Sequence, residues 1–207
     1  MNDLFDRPLF VGAHVDDIEL FAGGTLSRFS SSALCITFSK HDGLLTAMPW
    51  KEVREGKDVY PEVNWQVRDF NAVDGSIQKG RERIAENLRY YLSSSLPTVV
   101  VTHQSSDTNQ DHRTIYEEVI RTFKGKVPIL CGSFPNNDIS QVKRTFFVGI
   151  SGKDLRRKIL AIKKYKSQMV PGREYLNSSQ SLVQAKFWGA FINQDFAEAF
   201  EVVRLWI

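Results

Sequence analysis

Two short segments of the chain combine histidine with carboxylates at spacings suited to metal chemistry. The first reads Ala13-His14-Val15-Asp16-Asp17 and directly follows an apolar run. His14 and Asp17 are three residues apart, so one turn of chain can direct both side chains toward a common point. Asp16 must project elsewhere and stays free to take a proton from water. This segment therefore has the parts of a metal-assisted hydrolase: two ligands for Zn²⁺ and a separate general base.

The second segment contributes another histidine. It contains Asp111-His112-Arg113 and also follows an apolar run. His112 can supply a third ligand, and two histidines with one carboxylate leave one position open on zinc, as in catalytic sites. Asp111 is placed to orient a histidine from its outer side. Taken singly, each aspartate would more often be a helix N-cap and each histidine a structural residue. Two such segments in one chain favour a site.

The elements that position these segments follow from the hydrophobic pattern. Short apolar runs predict strands over residues 8–13, 33–38, 97–102, 127–131, 144–150 and 200–206. Helical periodicity predicts helices over about 17–31, 76–92, 111–123, 154–168 and 179–191. This alternation predicts one α/β domain over residues 1–207, an open and mostly parallel sheet with helices on both faces. Ligands of such sheets bind beyond the carboxyl ends of the strands, where both segments lie.

Composition restricts the class of partner. The 207 residues are 42% hydrophobic and 25% charged, with a net charge of +3. That mild charge favours neither nucleic acid nor an acidic membrane surface, so we expect a small-molecule substrate. We see no signal peptide and no run of about 18 apolar residues that would cross a bilayer. The prediction is a cytoplasmic protein, and the sequence leaves open whether copies of it form a homo-oligomer.

Both segments resemble signatures of the PIG-L (LmbE-like) family of N-acetylglucosaminyl deacetylases. The family's Ala-His-Pro-Asp-Asp-Glu and Gly-Gly-Thr correspond to residues 13–19 and 23–25, and its Asp-His-Arg to residues 111–113. Lys-Tyr-Lys-Ser-Gln at 164–168 and Phe-Ala-Glu-Ala-Phe at 196–200 resemble two late family motifs, so the resemblance spans almost the whole chain. It implies a Rossmann-like fold and removal of an N-acetyl group from an N-acetylglucosamine-type amino sugar or its conjugate.

The resemblance also implies roles for individual residues. His14, Asp17 and His112 would hold one Zn²⁺ per chain, although these ligand types also accept other divalent metals. Asp16 would be the general base, and we count Asp111 with it among the candidate catalytic residues.

The chain departs from the family pattern at two positions. Val15 replaces the usual proline, and Asn109 stands where many members carry a second histidine that stabilises the oxyanion or protonates the leaving amine. Asparagine can donate a hydrogen bond but cannot act as an acid, so Asn109 is a candidate catalytic residue with a reduced role. The amine would then receive its proton from Asp16, His41 or His103.

Three residues are candidates for substrate binding. Arg54 lies close to where family members often place a substrate-contacting arginine, and His41 follows the second predicted strand. His103 directly follows the third predicted strand, before Asp111-His112-Arg113 of the second segment.

Two alternatives stay open. The loss of a histidine at Asn109 would suit a sugar- or nucleotide-binding protein that has the fold without catalysis. A binding protein, however, has no need of three metal ligands together with Asp16. The other alternative is an amidase or deacylase that acts on a different acylated amine.

Overall fold

The computed structural model describes residues 3–40, 48–70, 76–132, 134 and 144–205, and these residues form a seven-stranded sheet with six α-helices. The strands are β1 (Pro8–His14), β2 (Leu34–Ser39), β3 (Asn64–Val67), β4 (Val99–His103), β5 (Ile129–Gly132), β6 (Arg144–Gly149) and β7 (Ala197–Arg204). The helices are α1 (Asp17–Arg28), α2 (Trp50–Lys57), α3 (Arg81–Ser94), α4 (Gln110–Phe123), α5 (Gly152–Ile162) and α6 (Ser178–Ala190).

The strand order explains where a ligand site can form. The order is β3-β2-β1-β4-β5-β7-β6; the first five strands are parallel, and β7 runs antiparallel to both of its neighbours, β5 and β6. The chain builds outward from β1 through β2 to β3 and then crosses to β4 on the other side of β1. The crevice outside the carboxyl ends of β1 and β4 is thus the topological switch point, the usual ligand site of such sheets. The predicted fold class, a mostly parallel Rossmann-like α/β sheet, is confirmed.

Strand β1 shows how the sequence directs side chains to two cores. All seven of its residues are buried, which a strand achieves only when both faces of the sheet are covered. Leu9, Val11 and Ala13 pack into the core that includes α3 and α4. Phe10 points the opposite way, into the core that includes α1, α5 and α6. Full burial of each large apolar side chain contributes roughly 1.5–3 kcal/mol, so both cores fix the strand that ends in His14.

Two elements lie where the sequence pattern is irregular. Helix α2 is only eight residues long and more than half polar, so it carries few apolar residues from which a helix could be predicted. Strand β3 is a four-residue strand at the edge of the sheet, and none of its residues is fully buried. Neither was predicted, because propensity signals need longer windows than these. The predicted helix over 154–168 ends at Ile162, and a 3₁₀ turn follows at Lys166–Gln168.

Helix α1 is broken in its middle and capped there by the last strand. Ala22 has non-helical backbone angles (φ −144°, ψ 17°), so the next turn starts with free N–H groups. The N–H groups of Gly24 and Thr25 donate to the carboxylate of Glu198 on β7, at 3.0 and 2.7 Å. Lys158 of α5 pairs with the same carboxylate at 2.6 Å. The Gly-Gly-Thr and Ala-Glu-Ala-Phe stretches therefore belong to one buried capping arrangement.

Among the described residues, no helix is long and apolar enough to cross a membrane.

Candidate metal centre

Three side chains from different elements meet at the switch point. His14 is the last residue of β1, and Asp17 is the first residue of α1. His112 lies in the first turn of α4, which follows β4. Because β1 and β4 are parallel neighbours, the segments after their carboxyl ends come together at one edge of the sheet. The three residues are 3–4% exposed, and their ligand atoms all lie within 4.8 Å of one another.

The distances between these atoms fit a small tetrahedral ion. His112 Nε2 lies 3.3 Å from His14 Nδ1 and 3.3 Å from Asp17 Oδ1. His14 Nδ1 lies 3.5 Å from Asp17 Oδ2. Zinc bonds of about 2.0–2.1 Å at tetrahedral angles place ligand atoms about 3.3 Å apart. The two imidazole nitrogens and the two oxygens of Asp17 are thus spaced as the ligand atoms of a Zn²⁺ site are.

Each histidine is also held on the nitrogen that points away from this triangle. His14 Nε2 lies 3.0 Å from Asp111 Oδ2, and His112 Nδ1 lies 2.8 Å from Asp107 Oδ2. A carboxylate in this position fixes the orientation and tautomer of a metal-binding imidazole. The other oxygen of Asp111 accepts a hydrogen bond from Gln78. The chemistry of the donor set therefore supports the same conclusion as its spacing: the residues present suit a divalent cation.

Electrostatics in the cluster favour positive charge. Burial alone would lower the pKa of His14, but attraction to Asp17 and the bond to Asp111 outweigh it and raise the pKa to about 10. Burial likewise opposes protonation of His112, whose pKa Asp17 and Asp107 raise to about 9. Burial would raise the pKa of Asp17, yet the neighbouring histidines hold it well below its usual range. Carboxylates thus stabilise cationic charge between them, as a metal site requires.

Asp16 lies beside the cluster but does not serve as a helix cap. It occupies the N-cap position of α1, and its side chain accepts no capping hydrogen bond. Burial raises the pKa of Asp16, and the adjacent charge of Asp17 raises it further, to about 6. The common structural role of an aspartate at this position is therefore not the one seen here.

Asn109 starts helix α4. Its side-chain oxygen accepts hydrogen bonds from the backbone N–H groups of Asp111 and His112, at 2.8 and 3.4 Å. Asn109 thereby fixes the turn that presents both residues to the cluster. With its oxygen engaged in the cap, only the amide N–H groups remain for a substrate, and a catalytic role for Asn109 stays a proposal.

His103 lies beneath the cluster rather than at its surface. Its ring is fully buried and stacks on His112 with centroids 4.0 Å apart. Its Nε2 lies 3.0 Å from the backbone nitrogen of Ala13 and 3.1 Å from Asp17 Oδ2. Burial, with the nearby charge of His112, lowers its pKa to about 4. His103 has no exposed surface in this structure, and its substrate-binding role stays a prediction.

Of the two other substrate-binding candidates, Arg54 makes no contact with the cluster among the described residues. Arg54 lies on the exposed side of α2, so its role stays a prediction. His41 lies outside the described residues.

Sequence reasoning missed two residues that support the cluster. Asp107 had no assigned role, although two metal-binding histidines need two outer acceptors and Asp111 can serve only one of them. The need for a second outer acceptor was the only feature of the sequence that indicated a role for Asp107. Gln78 donates a hydrogen bond to Asp111, which lies 33 residues later in the sequence, and the residues around Gln78 did not indicate this contact.

Comparisons with known proteins cover the segments that carry the candidate ligands. The sequence model of the PIG-L family, described as GlcNAc-PI de-N-acetylase, matches residues 9–123, which include all three candidate ligands. No curated protein matches the chain.

Solved structures show the same fold over nearly the whole chain. The conserved protein TT1542 from Thermus thermophilus is 21% identical, with a TM-score of 0.74 and 97% of each chain covered. The N,N'-diacetylchitobiose deacetylase from Pyrococcus horikoshii is 16% identical, with a TM-score of 0.70, 98% of this chain and 86% of that chain covered. The 4-carboxy-2-hydroxymuconate hydratase GalB from Pseudomonas putida KT2440 is also 16% identical, with a TM-score of 0.70, 97% of this chain and 98% of that chain covered.

Proposed function

The chain belongs to the PIG-L family, and from that membership and the geometry of the cluster we propose that it is a zinc-dependent N-deacetylase. Its substrate would be an N-acetylglucosamine-type amino sugar or a conjugate of one, and its products acetate and the free amine. The proposal treats residues 1–207 as a single domain of this family. Support for the sugar comes from the family description and from the fold shared with a chitobiose deacetylase.

One observation carries this proposal. His14 Nδ1, Asp17 and His112 Nε2 converge at 3.3–3.5 Å, and each imidazole has a carboxylate on its outer nitrogen. A protein that only binds sugar needs no buried group of this kind, since holding it together without a cation leaves carboxylates and imidazoles desolvated. We assign these three residues as the ligands, one metal per chain.

The residues beside the ligands would perform the proton transfers. When bound here, zinc supplies a Lewis acid for amide hydrolysis. Asp16 takes a proton from the attacking water, whose oxygen bonds to the acetamide carbon. Asp16 then returns the proton to the nitrogen as the C–N bond breaks, which releases acetate and the amine. The amide N–H groups of Asn109 are our candidate donors to the carbonyl oxygen. Asp111 and Asp107 hold the two imidazoles in place.

The test compares two adjacent aspartates by the same isosteric change. Metal content is measured by mass spectrometry for the wild type, Asp16→Asn and Asp17→Asn, and acetate release is measured with N-acetylglucosamine and N,N'-diacetylchitobiose. We expect about one zinc per chain in the wild type and in Asp16→Asn, and none in Asp17→Asn. Only the wild type should release acetate, with a loss of at least about 10²-fold in Asp16→Asn.

Two results would contradict the proposal. If the wild type binds no zinc when zinc is supplied, the better explanation is a sugar- or nucleotide-binding protein without catalysis. Full activity of Asp16→Asn would show that Asp16 is not the general base. Acetate must be measured directly, because the fold is shared with a hydratase and a change in substrate alone would not identify deacetylation.

A further inference from the structure

A buried polar cluster lies behind the loop that joins β1 to α1. It consists of Glu19 of α1, Lys57 at the end of α2, and Tyr165 after α5. Tyr165 Oη donates to Glu19 Oε1 at 2.6 Å, and Lys57 Nζ pairs with the same oxygen at 2.8 Å. Glu19 and Tyr165 are fully buried, and Lys57 is 7% exposed. A buried ion pair costs desolvation free energy, so its presence at this place needs an explanation beyond stability.

The cluster is directed at one backbone carbonyl. Lys57 Nζ donates to the oxygen of Val15, and Tyr165 Oη lies 3.2 Å from it. Val15 is the residue between His14, a candidate ligand, and Asp16, the candidate base. Its carbonyl belongs to the peptide unit that leads into Asp16, so a hydrogen bond there fixes how that unit is rotated.

The identity of residue 15 explains why such a restraint is useful. A proline at this position would fix its own φ. Val15 has no such ring, so the backbone that carries Asp16 loses a covalent restraint. The Lys57 ammonium supplies one from outside the loop, and Glu19 and Tyr165 hold that ammonium in place.

Packing shows that the surroundings are shaped for this contact. A side chain at Gly56 would come within 2.5 Å of the Tyr165 hydroxyl, so glycine is required for Tyr165 to reach the loop. The Lys57 ammonium also sits over the ring of Trp65, 3.7 Å from its centroid. Cation–π contact and ion pairing together restrict where the ammonium can go.

We propose that Lys57 is a positioning residue for Asp16, acting through the Val15 carbonyl, with Glu19 and Tyr165 holding Lys57. The inference rests on the proposed role of Asp16 as the base.

The chain offers matched controls for both side chains. Lys158 is a second buried lysine in a buried glutamate pair, and Tyr60 is a second buried tyrosine, which donates to the backbone oxygen of Gly23 at 3.2 Å. Both donate to groups other than the Val15 carbonyl. Lys57→Met is therefore compared with Lys158→Met, and Tyr165→Phe is compared with Tyr60→Phe. Both variants of each pair lose a buried polar contact, but only the first loses a contact near the Val15 carbonyl.

The measurements are crystal structures, zinc content and steady-state kinetics on a substrate that the wild type turns over. In Lys57→Met we expect the Asp16 carboxylate to move by more than about 0.5 Å relative to His14 and Asp17. We expect kcat to fall at least about 10-fold, with KM within about 2-fold and zinc content unchanged. Tyr165→Phe should show a smaller change of the same kind. If Lys57→Met does not fold, Tyr165→Phe alone tests the inference. Both control variants should leave the Asp16 carboxylate in place.

If the Asp16 carboxylate does not move in Lys57→Met, the inference is overturned. If only Tyr165→Phe folds, an unmoved Asp16 carboxylate in that variant overturns it. So would an equal loss of kcat in each variant and its control. If the wild type releases no acetate but Asp16 moves in Lys57→Met, the proposed function fails while the positioning inference stands.

Discussion

Replacing Asp107 by asparagine tests whether the outer carboxylates tune the candidate metal centre. Asp107 is almost fully buried, and both of its oxygens are engaged: Oδ2 with His112 Nδ1 at 2.8 Å, and Oδ1 with the backbone N–H of Asn109 at 2.8 Å. Asparagine has the same shape but only one acceptor oxygen. If that oxygen stays on the Asn109 N–H, the amide NH₂ faces His112 Nδ1.

The consequence for His112 follows from its two nitrogens. A nitrogen that faces an NH₂ group must be unprotonated, so the single proton of the neutral ring moves to Nε2, the ligand atom. Metal binding then requires a tautomer without a hydrogen-bond partner. If the amide turns the other way, its NH₂ opposes the N–H of Asn109 at the start of α4. Either arrangement weakens the site, and we expect a 10–100-fold loss of zinc affinity, or about 1.4–2.7 kcal/mol.

The assay is competition for zinc against a chelator of known affinity, at one pH for all proteins. Asp154→Asn is the control, because Asp154 is a capping aspartate of α5 that contacts Ser27 and Ser151. It should bind zinc like the wild type. If Asp107→Asn binds zinc within about 2-fold of the wild type, the carboxylate behind His112 does not tune the metal, and the reasoning from the outer ligands is refuted.

Two further predictions concern stability. Glu198→Gln leaves the Lys158 ammonium buried without its partner, so denaturant unfolding should show a loss of about 3–5 kcal/mol; a loss below about 1 kcal/mol would contradict the capping role. Hydrogen bonds from Arg157 lower the pKa of Glu62 from 4.5 to about 2, so this pair stabilises the fold above pH 4.5 and loses its effect as the pH falls toward 2. Because the Glu62 side chain is 36% exposed, Glu62→Gln should cost less than about 1 kcal/mol at pH 7, and the difference from the wild type should vanish near pH 2 in the same unfolding experiment.

The elements that place the candidate ligands could be predicted because their signals are local. The apolar run before His14 predicted a buried strand, and the alternation of strands with helices predicted a parallel sheet. Those two facts place the segments after β1 and β4 at one edge of the sheet, while the joint ligand set of His14, Asp17 and His112 was implied by the family resemblance.

What could not be predicted depends on the paths of loops and on contacts between remote segments. The sequence does not indicate that Asp111 contacts His14 while Asp107 contacts His112, because that choice is made by the turn before α4. Lys57 reaches Val15 over 42 residues, and this contact depends on α2, which is too short and too polar to have been predicted. Irregular segments carry little periodic signal, so the residues they deliver to a site are the hardest to anticipate.

The broken helix α1 also affects the order of events while the chain is being synthesised. His112, the last candidate ligand, precedes Glu198 by 86 residues, yet Glu198 caps the helix that starts with Asp17. At about 5–20 residues per second, a ribosome needs roughly 4–17 s to cover that distance. During this interval every candidate ligand has been synthesised, but α1 has no cap and no β7 beside it. We therefore expect the half of α1 after Ala22 to become ordered only after β7 has left the ribosome.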